Sequence, residues 1–224
     1  MKKKWWQIIL SYITDIYIER TGSEYNENLD VILKDGRYQL VAANAVYSFE
    51  DKYHNFRICF ERMNWSALTI KKVLVLGLGL GSIPQMLEKI FHKKFEYHIV
   101  EIDEIIIGLA NEYILYDLKS PLQIFHTDAL VYLQVCREKY DLILMDIFED
   151  SKVPESFETS AVLSSMKRLL NDKGCILFNR LNITEKDLEE TKTYYEHIFS
   201  KQFVNAYFME LPSNIMLCSR NDIF

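Results

Sequence analysis

Cysteine is scarce and its spacing is wide. The four residues Cys59, Cys136, Cys175 and Cys218 form no CxxC and sit in apolar runs. That excludes a disulfide framework and offers no metal site, and it leads us to expect buried free thiols in a reducing, cytoplasmic compartment. A surplus of positive charge is missing too. With 26 Lys and Arg against 32 Asp and Glu, the net charge is −6. This argues against a nucleic-acid partner, which demands a basic face, and suits small cationic partners better. Long apolar runs are absent as well. The opening MKKKWWQIILSYITDIYIE has the basic start and apolar stretch of a signal peptide, yet Gln7, Ser11 and Asp15 interrupt it and no small-residue cleavage site follows. It is too short to span a bilayer, so no membrane partner is expected and the segment is read as folded structure. No internal repeat or low-complexity tract is visible. The composition that remains, 49% hydrophobic and 26% charged over 224 residues, is that of a globular chain able to bury one large core with a small appendage.

The chain is organised around Lys71 to Asp103. Val73 to Leu76 is an apolar run that stops at Gly77, Gly79 and Gly81, and Ile83, Met86, Leu87 and Ile90 then recur at three- and four-residue spacing, the pattern of one helix face. Tyr97 to Val100 reads as a second strand ending in Glu101 and Asp103. The sum is a βαβ crossover. Glycines in such a turn let the backbone bend sharply and approach a ligand, or serve helix packing alone. A carboxylate 20 residues beyond Gly81, at the tip of the second strand, can accept both hydroxyls of a ribose. A nucleoside-containing ligand is the expectation.

Residues 1–66 predict a small β-rich region placed before a nucleoside-binding domain over 67–224. Trp5 to Tyr12 reads as a short helix, Ile16 to Glu19 and Leu29 to Leu33 as strands, and Asp35-Gly36 as a hairpin turn. Tyr38, Tyr47, Phe49, Tyr53 and Phe56 either line a ligand cleft or pack this layer on the core, and His54 has the same two readings. Beyond Asp103 the expected elements are helices at Ile105 to Tyr113, Ala129 to Cys136 and Phe157 to Leu170, with strands at Leu122 to Phe125, Asp141 to Met145 and Cys175 to Phe178. Asn171 to Gly174 reads as the stop between helix and strand. Thr184 and Asp187 form a capping box for a helix to about Phe199, and Phe203 to Met209 and Ile215 to Cys218 close as a hairpin. The fold class is α/β: a doubly wound, mostly parallel seven-stranded sheet behind a small N-terminal antiparallel layer.

Ligands of such a sheet bind outside the carboxyl ends of its strands. The glycine turn, Glu101, Asp128 and Asp146 all fall there. Asp128 in HTDAL is either a helix N-cap or a partner for an adenine amine. Asp146 in ILMDIFED follows four apolar residues, a costly place for a carboxylate without a partner or a task.

The stretches VLVLGLGLGS, VEID, HTDAL and KYDLILMDIFED, with the preceding β layer and the LKDGRYQL hairpin, resemble the class I methyltransferase superfamily, and within it spermidine synthases and their relatives. The likeness covers nearly the whole chain and is strongest from Lys71 to Asn179. It implies a cytoplasmic transferase that takes S-adenosylmethionine, or decarboxylated S-adenosylmethionine as co-substrate. Gly77, Gly79 and Gly81 would cradle the donor, Glu101 hold its ribose, Asp128 its adenine amine, and Asp146 take the proton of an attacking amine. The resemblance is compatible with a homodimer and with a small-molecule acceptor such as an amine.

Two markers differ. Leu80 stands where spermidine synthases carry an Asp for the cationic aminopropyl tail, and Glu149 and Asp150 follow the catalytic position where a second Asp and Pro are usual. Val75 stands where many methyltransferases place an acid for the methionine amine. An apolar Leu80 favours the zwitterionic donor, whose carboxylate would meet Ser82 and the N–H groups of the turn. Methyl transfer to an unidentified small substrate is therefore the expected activity. Aminopropyl transfer, with Glu149 or Asp150 supplying the missing charge, and idle nucleoside binding are the alternatives. A nicotinamide dehydrogenase fits less well, since it gives no place to Asp128 or the terminal hairpin.

Overall fold

The structure, a computed structural model, describes residues 3–42, 45–149 and 152–224. Its N-terminal part opens with helix α1 (Trp5–Leu10) and continues through strands β1 (Ile16–Thr21), β2 (Leu29–Lys34), β3 (Arg37–Ala42) and β4 (Ala45–Ser48). These pair in sequence order as an antiparallel four-stranded sheet. The β2–β3 hairpin turns at Asp35 and Gly36, with φ of 50° and 75°, the left-handed pair that a two-residue turn requires. Helix α2 (His54–Arg62) then leads to the main sheet.

Main-sheet strands β5 (Lys72–Leu76), β6 (Glu96–Glu101), β7 (Leu122–His126) and β8 (Tyr140–Met145) alternate with helices α3 (Ser82–Lys89), α4 (Glu104–Tyr113) and α5 (Ala129–Val135). Helix α6 (Ser160–Leu169) precedes β9 (Leu170–Leu181), and α7 (Glu185–Tyr194) continues through a π-helical segment to α8 (Ser200–Gln202). Strands β10 (Tyr207–Glu210) and β11 (Asn214–Cys218) finish the chain. The seven-stranded order is β10-β11-β9-β8-β5-β6-β7, with β9, β8, β5, β6 and β7 mutually parallel and β11 antiparallel to its neighbours. Strand order reverses between β5 and β8, which places a crevice above the ends of those strands. One apolar cluster runs from Leu29 and Leu40 of the first sheet through Phe56 to Val73, Ile99 and Leu177 of the second, so the two sheets share a core.

Local chemistry sets the helix starts. Asp103 caps α4 at the N–H groups of Ile105 and Ile106, Thr159 caps α6 at Val162, and Thr184 with Asp187 forms the expected capping box on α7. Asp103 also accepts from Ser23 Oγ and Asn26 Nδ2, tying the β1–β2 loop to the main sheet.

Several boundaries differ from the sequence expectation. Ile90 lies beyond the end of α3 and is 40% exposed, so it is not part of the buried face. The helix expected from Phe157 begins only at Ser160, after a 3-10 turn at Glu155–Phe157. Asn171 to Gly174 is a bulge within β9, not a loop before it: Tyr140 pairs with Leu170 and Leu142 with Cys175, and Asn171 Nδ2 bonds Asp141 at 2.6 Å across the excursion. β10 begins at Tyr207, four residues later than expected.

Candidate functional site

The glycine turn joins β5 to α3. Gly77, Gly79 and Gly81 have φ of +91°, +53° and +89°, a region that a side chain strains. The space that a Cβ would fill at each is taken by protein. At Gly77 it would lie 2.3 Å from the Asp146 carbonyl, at Gly79 3.0 Å from Ser48 Cβ, and at Gly81 2.5 Å from Leu115 Cδ2. The three glycines therefore press the turn against β8, the N-terminal sheet and the segment after α4, while the turn's N–H groups remain at the strand ends.

Glu101 ends β6 beside this turn. Its Oε2 accepts from Leu78 N–H at 2.9 Å, and its Oε1 from Ile102 and Asp103 N–H at 2.9 and 3.1 Å. Burial raises its pKa against the lowering by these bonds. An ionised carboxylate has about four acceptor positions, so roughly one stays open to a ribose hydroxyl, not the two that sequence reasoning expected. Next along the sheet edge, Thr127 N–H bonds the Glu101 carbonyl, and Asp128 follows. Asp128 Oδ1 caps α5 through Leu130 N–H at 2.6 Å, which leaves Oδ2 for a ligand donor. Its capping and adenine readings are thus compatible.

Asp146 leaves β8 on the other side of the turn. Its Oδ1 accepts from Tyr53 Oη–H at 3.1 Å and from Asn179 Nδ2–H at 2.8 Å, so the described residues leave Oδ2 unoccupied. Burial lifts its pKa to about 7 against the lowering by these two bonds. Burial and the Asp146 carboxylate raise the Tyr53 phenol well above its ordinary range. A carboxyl poised near neutrality, with one oxygen free, is a proton acceptor in waiting.

The other expected residues are placed as follows. Leu80 is 0% exposed, enclosed in the core. Ser82, expected to meet a donor carboxylate, is buried and already bonded: its Oγ lies 2.6 Å from Ser48 Oγ and accepts from Phe49 N–H at 3.1 Å. Glu149 is exposed and its backbone bridges Lys152. Asp150 lies outside the described residues. Tyr38 and Phe56 are core residues, and His54 points to solvent at the start of α2. Sequence reasoning gave no role to Asn179 and only a generic one to Tyr53. Asn179 carries the signal used for Asp146, a polar residue closing the apolar run CILF.

The sheet edge thus gathers a left-handed turn, two carboxylates able to orient a nucleoside and a third able to take a proton. Residues 60–219 match the family described as spermine/spermidine synthase domain. The chain is 30% identical over 127 residues to a polyamine aminopropyltransferase of Vibrio vulnificus (strain CMCP6), a match that takes in 55% of this chain and 42% of that protein. It is 28% identical over 166 residues to an eEF1A lysine and N-terminal methyltransferase homolog of Drosophila melanogaster, over 68% of this chain and 24% of that protein. These matches take in less than half the length of either relative. Among solved structures, a spermidine synthase in complex with the transition state analogue AdoDATO has a TM-score of 0.72 at 16% identity over 93% of this chain and 75% of that one. Human methyltransferase-like protein 13 in complex with SAH has a TM-score of 0.58 at 22% identity over 68% and 73%. At such identities these structures speak for the fold: class I methyltransferase-like.

Proposed function

We propose that this chain, which belongs to the spermine/spermidine synthase family, is a cytoplasmic S-adenosylmethionine-dependent methyltransferase acting on a small amine. Its coarser description, a spermidine synthase-like transferase of the S-adenosylmethionine-dependent class, follows from the family and the relatives. The donor supplies a carbon activated by a sulfonium. Against it the chain sets the turn at residues 77–81 for the backbone of the site, Glu101 for one ribose hydroxyl and Asp128 Oδ2 for the adenine amine. When the acceptor nitrogen forms its bond to that carbon, the carbon–sulfur bond breaks and the nitrogen becomes cationic. Asp146 Oδ2 then takes the proton, with Tyr53 and Asn179 steadying Oδ1. An amine acceptor accords with both named relatives, since a polyamine, a lysine and a protein N-terminus all present an amino nitrogen.

The observation that carries methyl over aminopropyl transfer is Leu80: its side chain is apolar and turned into the core, so this position of the turn presents no anion. A bare ammonium tail beside the turn would lose water without gaining an anion from it, at a cost of several kcal/mol. A zwitterionic tail carries its own carboxylate beside the ammonium and depends less on an anion from the protein. Aminopropyl transfer is the second reading, favoured by the family itself and by the polyamine relatives. Dissociation constants for both donors test the choice. We expect S-adenosylmethionine to bind at least about 10-fold more tightly, a difference of about 1.4 kcal/mol. Tighter binding of the decarboxylated donor, or its consumption with putrescine to give methylthioadenosine, overturns it.

The proposed assembly is a homodimer through the N-terminal layer. Trp5, Trp6, Ile9 and Ile13 are 74%, 48%, 59% and 81% exposed, and Tyr17 on edge strand β1 is exposed as well. A second copy covering these side chains would take large apolar groups out of water, each buried aromatic contributing on the order of 150–250 Å².

A further inference from the structure

Asp146 is held through a chain of buried amides. Asn179 on β9 is 0% exposed and donates Nδ2–H to Asp146 Oδ1 at 2.8 Å. Its own Oδ1 accepts from Nδ2 of Asn214 on β11 at 3.0 Å, and Asn214 is also buried. In the β9–β11 register Asn179 pairs with Met216 and Asn214 with Leu181, so the two amides are diagonal neighbours. The hairpin does not need the Asn214 side chain, because its turn is closed by the backbone bond from Leu211 N–H to the Asn214 carbonyl. A buried amide in an apolar strand is costly unless it is bonded, and here the bonding leads to a single carboxyl.

A side-chain amide has two unlike ends. With its NH2 toward Asp146, Asn179 stabilises the ionised carboxylate. Turned about, its carbonyl would face that carboxylate, repel it and favour the protonated acid. The Asn179–Asp146 contact selects the first arrangement only while Asp146 is ionised. Asn214 selects it in either state, because its Nδ2 occupies the Asn179 oxygen and leaves the Asn179 nitrogen for Asp146. We propose that Asn214 is a positioning residue that locks the Asn179 amide with its N–H toward Asp146, and so keeps Asp146 in its proton-accepting form. The groups that face Asp146 are Tyr53 from the start of α2, Asn179 from β9 and the backbone of Gly77 from the turn. Among the described residues no charged side chain contributes to its ionisation, so one amide's orientation weighs heavily.

This inference rests on reading Asp146 as the proton acceptor, and its test does not depend on which group is transferred. The Asp146 carboxyl is titrated by carbon-13 NMR in the protein without donor or acceptor, for the native chain, Asn214→Leu and Asn214→Ala. The first variant keeps the shape and loses the donor; the second removes bulk and covers the case in which leucine prevents folding. We expect the midpoint to rise by about one pH unit in either variant, as the loss of a bond to the charged form requires. In kinetics, the acid limb should move by the same amount while the donor KM stays unchanged. A midpoint within about 0.3 unit of the native value in a folded variant assigns Asn214 a structural role and overturns the proposal. Absence of turnover with either donor would defeat the methyltransferase reading, yet leave the titration to decide this one.

Discussion

Tyr53 and Asp146, 93 residues apart in sequence, meet at 3.1 Å, and the bond falls on the same carboxylate oxygen that Asn179 holds. Two donors on Oδ1 and none from the described residues on Oδ2 make the carboxyl asymmetric. One oxygen is fixed by the protein and the other takes no bond from the described residues. The N-terminal part of the chain therefore supplies a partner to a carboxyl that comes from the main sheet.

This asymmetry sets the pH dependence of turnover. With the Asp146 pKa raised to about 7 by burial, the rate should fall as pH drops through that value, because the protonated acid accepts no proton. Tyr53→Phe removes a bond to the charged form and should move the acid limb upward. Asp146→Asn should lower kcat by ~10²- to 10⁴-fold while leaving donor affinity within about threefold. Equal losses of affinity and rate would make Asp146 a binding residue.

The same carboxyl links stability to pH. Burial lifts its folded pKa to about 7 from the ordinary 3.8, so its contribution to stability is fully present below about pH 4 and is lost as pH rises from there through about 7. Asp146→Asn should therefore stabilise the protein more at pH 8.5 than at pH 5, by on the order of 1–3 kcal/mol. Denaturant unfolding at both pH values measures this, and an equal effect at both would contradict the raised pKa.

Glu101 offers the ribose roughly one acceptor position beyond its three backbone bonds. Glu101→Gln keeps the shape and should weaken donor binding by ~5- to 150-fold, the value of about 1–3 kcal/mol for a buried hydrogen bond. Calorimetry with a folded variant checks it. Unchanged affinity would remove the ribose assignment.

Gly77→Ala should be poorly tolerated, since the new Cβ would lie 2.3 Å from the Asp146 carbonyl at a φ of +91°. We expect a loss of stability of roughly 1–3 kcal/mol together with a displaced Asp146. Gly108→Ala is the control: it has nothing within 4 Å and sits inside α4, where alanine is favoured. Thermal unfolding of the two variants should separate them.

Sedimentation tests the exposed N-terminal face. The native chain should run as a dimer, and Trp5→Glu with Ile13→Glu, both at highly exposed positions, should yield a folded monomer. A native monomer at micromolar concentration would remove the dimer reading.

Much of this architecture was legible because β5, β6 and β8 are apolar runs that stop at a glycine or an acid. The runs ending at Gly77, Glu101 and Asp146 marked both the parallel sheet and the candidate edge. The misread bulge has a physical cause. Asn171 to Lys173 carry polar, exposed side chains because the segment bulges out of the sheet, and such a segment has no alternation to read. Ser82 sits at a helix start where anion binding is a fair expectation, yet Ser48, 34 residues earlier, takes its hydroxyl. Tyr53 and Asn214 are meaningful only through partners brought to them by the fold, and spacing along one chain holds no record of that meeting.

The contact between Gly77 and the Asp146 carbonyl also limits how such a site can diverge. A larger residue at 77 would push on the strand end that carries Asp146, so the turn cannot be enlarged there without displacing that carboxyl. A glycine that never varies at this position is the trace this constraint would leave across a lineage.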